Sequence, residues 1–402
     1  MSSVVIIGGG HAAAQLCASL AEAKYAGSVT LVSDEAHLPY HRPPLSKTFI
    51  KDPAAVAQLL RPEAMYRDAG IACVLGDGAV AIDRAQRQVV LASGRTLPYD
   101  TLVLATGTRP RRLPELPSTL SNVAYLRNAT DAERLREALL AAPSVTVLGG
   151  GFIGLEVAAT ACQLGKAVTV FELAPRLLAR SVSPEAAEQV AASLREAGVS
   201  LRLQAAVERF EVEQDRLVAV WAGGQRHAVD LLVAGIGAVP ETALAEAAGL
   251  ACDNGIVVDA HMQTSDPAIY AVGDCTSFPR AGQGRLRLES VQNANDQART
   301  VASVLLGQPA PYVALPWFWS DQGGLRLQIA GLAPAEAERV RRPGAKPGSF
   351  SILHFVGEQL VCVESLNAPL DHMAARKLLE QGVAVPRQAL LDPAIPLKQH
   401  LA

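Results

Sequence analysis

The chain has 402 residues, half of them hydrophobic and 19% charged, with a net charge of −3. That length exceeds one hydrophobic core, so two or three domains are expected, and the slightly acidic balance gives no nucleic-acid-binding footprint over the whole chain, leaving only a local basic patch open. The start, MSSVVIIGGG, has no basic n-region or apolar h-region, and no run is long enough to cross a bilayer, so a cytoplasmic protein with no membrane partner is expected.

Residues 4–7 (VVII) are a β-branched run, followed by glycines and the helical pattern AAAQLCASLAEA. Strand, tight turn and helix are predicted in that order. Residues 29–32 (VTLV) give a second strand that ends at Ser33, Asp34 and Glu35, and the crossover makes the two strands parallel. In the turn, Gly8 permits the bend, Gly10 admits a pyrophosphate to the backbone, and Ala13 stands where helix meets strand. Asp34 lies 24 residues beyond Gly10, near the place where an acid holds a ribose hydroxyl. Residues 101–107 (TLVLATG) form a buried strand ending in glycine, and the proline- and arginine-rich stretch 109–117 suits an interdomain crossing.

The pattern then repeats. Residues 145–148 are a strand, Gly149, Gly151 and Gly154 complete G-x-G-x-x-G, a helix follows, and the strand 167–171 ends at Glu172, 21 residues after Gly151. Strand, glycines, helix, strand and acid in register mark a dinucleotide cradle. Two cradles imply two dinucleotides held at once, with electrons passing between them. Residues 231–237 (LLVAGIG) end at Gly237, and IYAVGDC carries Asp274 at its tip; ligands gather at such carboxyl ends of strands. IYAVGDC completes the first sheet better than the second, so the first domain is expected to be discontinuous. From residue 316 the alternating segments PWFWSDQ, SILHFV and QLVCVESL suggest antiparallel strands of a smaller α+β domain. The expected layout is 1–109 with 237–315 for one nucleotide, 110–236 for the other, and 316–402 at the C-terminus.

With the motifs PPLSK (residues 43–47), LVLATG, YLR (125–127), GGGFIGLEVA, HMQTSDP (261–267), AVGDC, ESVQNA (289–294) and PWFWSDQ, nearly the whole chain resembles the oxygenase-coupled, NADH-dependent ferredoxin reductases of the putidaredoxin reductase type. PPLSK and PWFWSDQ carry most weight, since both lie outside the generic nucleotide loops. The resemblance implies the α/β fold of glutathione reductase: two Rossmann-like dinucleotide-binding domains, the first for FAD and the second for NADH, plus a C-terminal α+β domain. It implies hydride transfer from NADH to FAD and single-electron transfer to a 2Fe–2S ferredoxin that supplies an oxygenase, with no metal site in this chain.

Carried over by the same resemblance, Gly8, Gly10 and Ala12 line the FAD pyrophosphate and Asp34 its ribose. Lys47 stands beside the flavin ring, and Arg127, Asp274 and Val291 contact FAD. Gly149, Gly151 and Gly154 cradle NADH, with Gly237 at the tip of the neighbouring strand. Glu172 reads the ribose hydroxyls and repels a 2′-phosphate, against the nearby cations Arg176 and Arg180. Glu156 reaches the nicotinamide carboxamide and pairs with Lys47. Trp317 and Trp319 lie at the flavin edge, with Trp319 on the electron path, and Arg299 and Lys398 are candidates for steering an acidic ferredoxin. His11 departs from the family pattern and is expected to be exposed at its loop.

Rubredoxin reductases share these motifs and remain the alternative. A disulfide reductase of the same architecture needs a paired redox cysteine, and Cys17, Cys73, Cys162, Cys252, Cys275 and Cys362 include no C-x-x-C. A flavoprotein of the apoptosis-inducing-factor type that binds DNA is disfavoured by the acidic net charge.

Overall fold

Runs of Val, Ile and Leu bounded by glycine become fully buried strands, because parallel strands covered on both faces have no solvent side to populate with polar residues. The computed structural model describes residues 2–280 and 282–401. By internal contacts the chain forms two units: Met1–Arg42, Ala57–Arg109 and Ala238–Ala314 make the first, and Pro43–Val56, Pro110–Gly237 and Leu315–Ala402 the second.

The first unit is built on a five-stranded sheet in the order Ile269–Ala271, Thr101–Leu104, Ser3–Ile7, Ser28–Ser33, Ala72–Leu75, parallel throughout. Strand Ile269–Ala271, just before Asp274, thus adds to the edge of the first sheet. Helices His11–Glu22 and Val291–Leu305 pack against each other, and one apolar cluster runs from Val4 and Ile6 through Leu16 and Leu104 to Val301.

The second unit repeats the plan. Its parallel sheet runs Ser200–Arg202, Ala167–Phe171, Ser144–Leu148, Leu231–Ala234, Val123–Ala124. In both sheets the strand before the glycines is central, so each glycine turn opens where neighbouring strand tips diverge. Each unit also carries a three-stranded antiparallel meander: Ala79–Asp83, Gln88–Leu91 and Thr96–Pro98 in the first, and Val207–Glu213, Arg216–Ala222 and Gln225–Ala228 in the second. The sequence reading had not distinguished these.

Residues 315–402 supply a five-stranded antiparallel sheet, ordered Trp317–Gln322, Leu325–Gly331, Gln359–Leu366, Phe350–Val356, Glu338–Pro343, together with helix Pro369–Gln381. Leu325, Leu327, Phe350, Ile352 and Leu366 share one core cluster with Leu135, Leu155 and Val157, which groups this sheet with the second nucleotide-binding fold. The PPLSK segment was expected with the first domain and groups with the second. Ile50 joins the same cluster, the guanidinium of Arg136 lies 5.2 Å from the Phe49 ring centre, and Thr160 Oγ1 donates to the Ser46 carbonyl at 2.8 Å.

Candidate functional site: two glycine cradles and a buried carboxylate cluster

In the first unit, Gly8 has φ +128° and a Cβ there would stand 2.2 Å from the Ala105 carbonyl oxygen, so only glycine fits. Its N–H donates to the Val32 carbonyl at 2.8 Å, locking turn to strand. Gly10 is the N-cap of His11–Glu22, with no side-chain cap and no acid in the first turn. By contrast, Asn128, Ser183 and Ser290 each cap their helices with a side chain. The helix after the glycines therefore presents its first N–H groups to an anion, and a Cβ on Gly10 would meet only Arg42 Nε, at 3.9 Å. Ala12 and Ala13 are buried beneath this turn.

Around that cradle, the Gly273–Thr276 turn is pinned by Gln297, whose Oε1 accepts from Gly273 N at 2.7 Å and Thr276 Oγ1 at 3.0 Å. Half-buried Asp274 sits in this turn. Val291 opens its helix behind the Ser290 cap. Val32 pairs with Ile7 and Phe171 with Leu148, so the counterpart of Glu172 in the first unit is buried Ser33. Asp34 is one residue further on and exposed, while Glu35 bonds Tyr40 and pairs with Arg42 at 2.6 Å. His11 is half-buried rather than exposed, its ring 5.9 Å from that of His41.

The second cradle follows the same rules. Gly149 has φ +100° and a Cβ there would lie 2.4 Å from the Gly235 carbonyl oxygen; one on Gly154 would lie 2.6 Å from the Gly149 oxygen. Gly151 caps Phe152–Gln163 with no side-chain bond. Glu172 accepts from Gly150 N at 2.5 Å and Ala174 N at 2.6 Å, which holds its carboxylate on the glycine turn itself. Arg176 donates to the carbonyls of Val182 at 2.8 Å and Ala179 at 2.7 Å, so its guanidinium is committed to its own loop. Arg180 is exposed, its Nη2 3.8 Å from where a Cβ on Gly237 would be; Gly237 itself has φ +111°. Arg127 is half-buried, and its backbone N–H donates to Asp131 at 3.0 Å.

One helical turn past Gly151, Glu156 is buried at 5% exposure. A buried carboxylate persists only if paired and hydrogen-bonded, and Glu156 is both. Lys47 Nζ lies 2.6 Å from Oε2, Ser46 Oγ donates to Oε2 at 2.5 Å, and Ser320 Oγ donates to Oε1 at 2.6 Å. The Lys47–Glu156 pairing expected from sequence is thus present. Ser46 and Ser320 were not singled out, although both lie inside the motifs PPLSK and PWFWSDQ.

Strand alternation explains the second motif. Phe318, Ser320 and Gln322 share one face, with Phe318 against Phe152 (ring centres 4.6 Å apart). Trp317 and Trp319 share the other and stack at 5.5 Å with a 28° interplanar angle. Arg376 lies 4.1 Å from the Trp317 ring centre, and the ring of buried His372 meets the same tryptophan at 6.1 Å. Burial together with the cations Arg376 and Arg326 pushes the His372 pKa down to about 4.

Of the steering candidates, Lys398 is exposed, while Arg299 pairs with Asp296 at 2.5 Å and reaches Gln15 at 3.3 Å. All six cysteines are free. Burial raises the thiols of Cys17, Cys275 and Cys362. No helix among the described residues is long and apolar enough to cross a membrane.

Residues 2–298 match the family model described as pyridine nucleotide-disulphide oxidoreductase, and residues 317–401 the model described as reductase C-terminal. Rhodocoxin reductase of Rhodococcus erythropolis is 42% identical, over 100% of this chain and 94% of its own. The crystal structure of the ferredoxin reductase for the CYP199A2 system from Rhodopseudomonas palustris superposes with a TM-score of 0.96 at 41% identity, covering 100% of both chains. The covalent putidaredoxin reductase–putidaredoxin complex gives 0.94 at 39% identity, covering 100% of this chain and 98% of that one. With two glycine cradles, a C-terminal antiparallel sheet and full-length likeness to these reductases, the chain belongs to the pyridine nucleotide-disulphide oxidoreductases and, within them, to the oxygenase-coupled ferredoxin reductases.

Proposed function

We propose that this chain is an NADH-dependent ferredoxin reductase that serves an oxygenase system in the cytoplasm, with FAD as its cofactor and a 2Fe–2S ferredoxin as its partner. The observation that carries the reading is the duplicated cradle: two uncapped helix N-termini behind glycine turns that no other residue fits, one in each unit. Each suits the diphosphate of one dinucleotide. FAD, when bound, supplies the conversion of one two-electron donor into two single-electron deliveries. One NADH is oxidised to NAD+, two ferredoxins are reduced, and one proton is released.

The chain's own residues bind and orient. Gly8 and Gly10 with the first turn of His11–Glu22 take the FAD diphosphate, and Asp274 is presented from a turn that Gln297 holds rigid. Asp34 is the acid nearest the strand end for the FAD ribose, one residue past Ser33. Gly149, Gly151 and the N-terminus of Phe152–Gln163 take the NADH diphosphate. Glu172 accepts from the adenosine ribose hydroxyls and repels a 2′-phosphate. The commitment of Arg176 to carbonyls leaves that repulsion unopposed from its side. Glu156 is a fixed carboxylate acceptor for the carboxamide N–H of the nicotinamide, kept in place by Lys47, Ser46 and Ser320.

The test is anaerobic mixing of the flavin-loaded protein with NADH, followed by addition of a 2Fe–2S ferredoxin. Prompt flavin bleaching and then ferredoxin reduction at two per NADH is the expected result. Bleaching with transfer only to rubredoxin would reassign the partner, and bleaching with no transfer to either protein would overturn the electron-transfer reading.

A further inference from the structure

The geometry points to Ser320 and Gln322, on strand Trp317–Gln322 of the C-terminal sheet, as positioning residues that hold Glu156 Oε1, the oxygen left with an open acceptor position, in place for the nicotinamide carboxamide. This rests on the reading of Glu156 given above. A carboxylate offers about four acceptor positions, two on each oxygen. Both positions on Oε2 are taken, by Ser46 at 2.5 Å and Lys47 at 2.6 Å. Among the described residues, Oε1 carries only the Ser320 hydroxyl, at 2.6 Å. The open position is therefore on Oε1, and an incoming N–H donor bonds beside Ser320.

The direction of the Ser320 hydroxyl is itself determined. Serine has one hydrogen. Gln322 Nε2 donates to Ser320 Oγ at 2.7 Å and to the Phe152 carbonyl at 3.3 Å. Both acceptors face the amide nitrogen, so the amide is oriented as a donor, and its Oε1 is buried without a partner. With Gln322 filling a lone pair, the Ser320 hydrogen points at Glu156. Ser320 and Gln322 are each 1% exposed, so bulk solvent does not compete for these bonds. The relay Phe152 carbonyl–Gln322–Ser320–Glu156 begins and ends on the helix that follows the second glycine turn. The C-terminal sheet thus contributes to the NADH site through the helix it packs on.

The experiment compares binding of NAD+ and of ADP-ribose, which lacks the nicotinamide, to the FAD-loaded protein by calorimetry. Ser320→Ala lets the Glu156 carboxylate turn away from the carboxamide and is expected to weaken NAD+ about tenfold, the scale of one hydrogen bond to a charged group, and to leave ADP-ribose within about twofold. Ser320→Thr keeps the hydroxyl and is expected to recover most of the loss. Gln322→Leu frees the hydroxyl rotor and is expected to weaken NAD+ by a smaller factor. Should Ser320→Ala fail to fold, Ser320→Cys, with a weak donor of similar size, is read in the same way. An unchanged ratio of NAD+ to ADP-ribose affinity in the Ser320 variants, while Glu156→Gln lowers it, would overturn the positioning role alone. An unchanged ratio in Glu156→Gln would overturn the carboxamide reading and this inference with it.

Discussion

At Glu172 the backbone N–H of Gly150, in the second glycine turn, and that of Ala174, just past the strand end, fix the carboxylate, so a substrate meets a preset charge. Glu172→Ala is expected to reduce the preference for NADH over NADPH by about tenfold or more, read as the ratio of kcat/KM values; an unchanged ratio would mean that another group reads the ribose. At Lys47 the concern is stability. Lys47→Met leaves the buried charge of Glu156 without its counter-ion, which is expected to cost about 3 kcal/mol, and the double variant Lys47→Met/Glu156→Gln is expected to recover most of that in denaturant unfolding. Both residues were legible in the sequence because they lie inside short motifs. Their hydroxyl partners were not, because Ser46 and Ser320 meet Glu156 across 110 and 164 residues of chain. No local pattern encodes such a meeting. A period-two reading of WFWSDQ would still have placed Phe318, Ser320 and Gln322 on one face and flagged two polar residues there as buried.

Among the elements, helix Pro369–Gln381 carries a pH dependence. Neither ring nitrogen of His372 has a hydrogen-bond partner, and Arg376, Arg326 and the Trp317 ring surround it. Its pKa falls from 6.5 to about 4 on folding, so the unfolded chain binds the extra proton first. Stability is full above about pH 6.5, declines as the pH falls toward 4, and levels off below that. The total loss is about 3 kcal/mol. His372→Phe is expected to flatten this part of the profile of melting temperature against pH; an identical slope would place the titration elsewhere. Another joint links the C-terminal sheet to helix Pro184–Glu196. Buried Glu364 accepts from Ser183 N at 2.8 Å and from its hydroxyl, while that hydroxyl caps the helix by accepting from Ala186 N at 3.2 Å. The long parallel strands were readable from their β-branched runs. The meanders were not, because Ala79–Asp83 and Val207–Glu213 are mostly exposed strands whose few apolar residues bury no continuous face.

For the whole molecule, duplication was the most legible property: both sheets have the same strand order around their glycine strand. The allegiance of PPLSK was less so, since a segment sixty residues before the crossing groups with the second unit through side chains that only the fold brings together. Partner steering also belongs to this scale. Both Arg299 and Lys398 are exposed, and Arg299 is already paired with Asp296. Lys398→Glu is expected to lower kcat/KM for ferredoxin several-fold at low salt, with the deficit shrinking as salt rises, and to leave NADH-driven reduction of a small neutral acceptor unchanged.

The six free cysteines bear on what becomes of the electrons. Relatives by fold are named for disulphide chemistry, in which a sulfur pair stores reducing equivalents between turnovers. Here every thiol is single, and those of Cys17, Cys275 and Cys362 are buried and held protonated. The polypeptide has no reservoir of its own. Electrons drawn from NADH wait until a carrier collects them, so in an oxygenase system the supply of oxidised ferredoxin acts as the throttle on NADH consumption. Thiol-blocking reagents, which can reach the half-buried Cys73, Cys162 and Cys252, are expected to leave NADH-driven ferredoxin reduction unchanged; a loss of rate would place a thiol on the electron path.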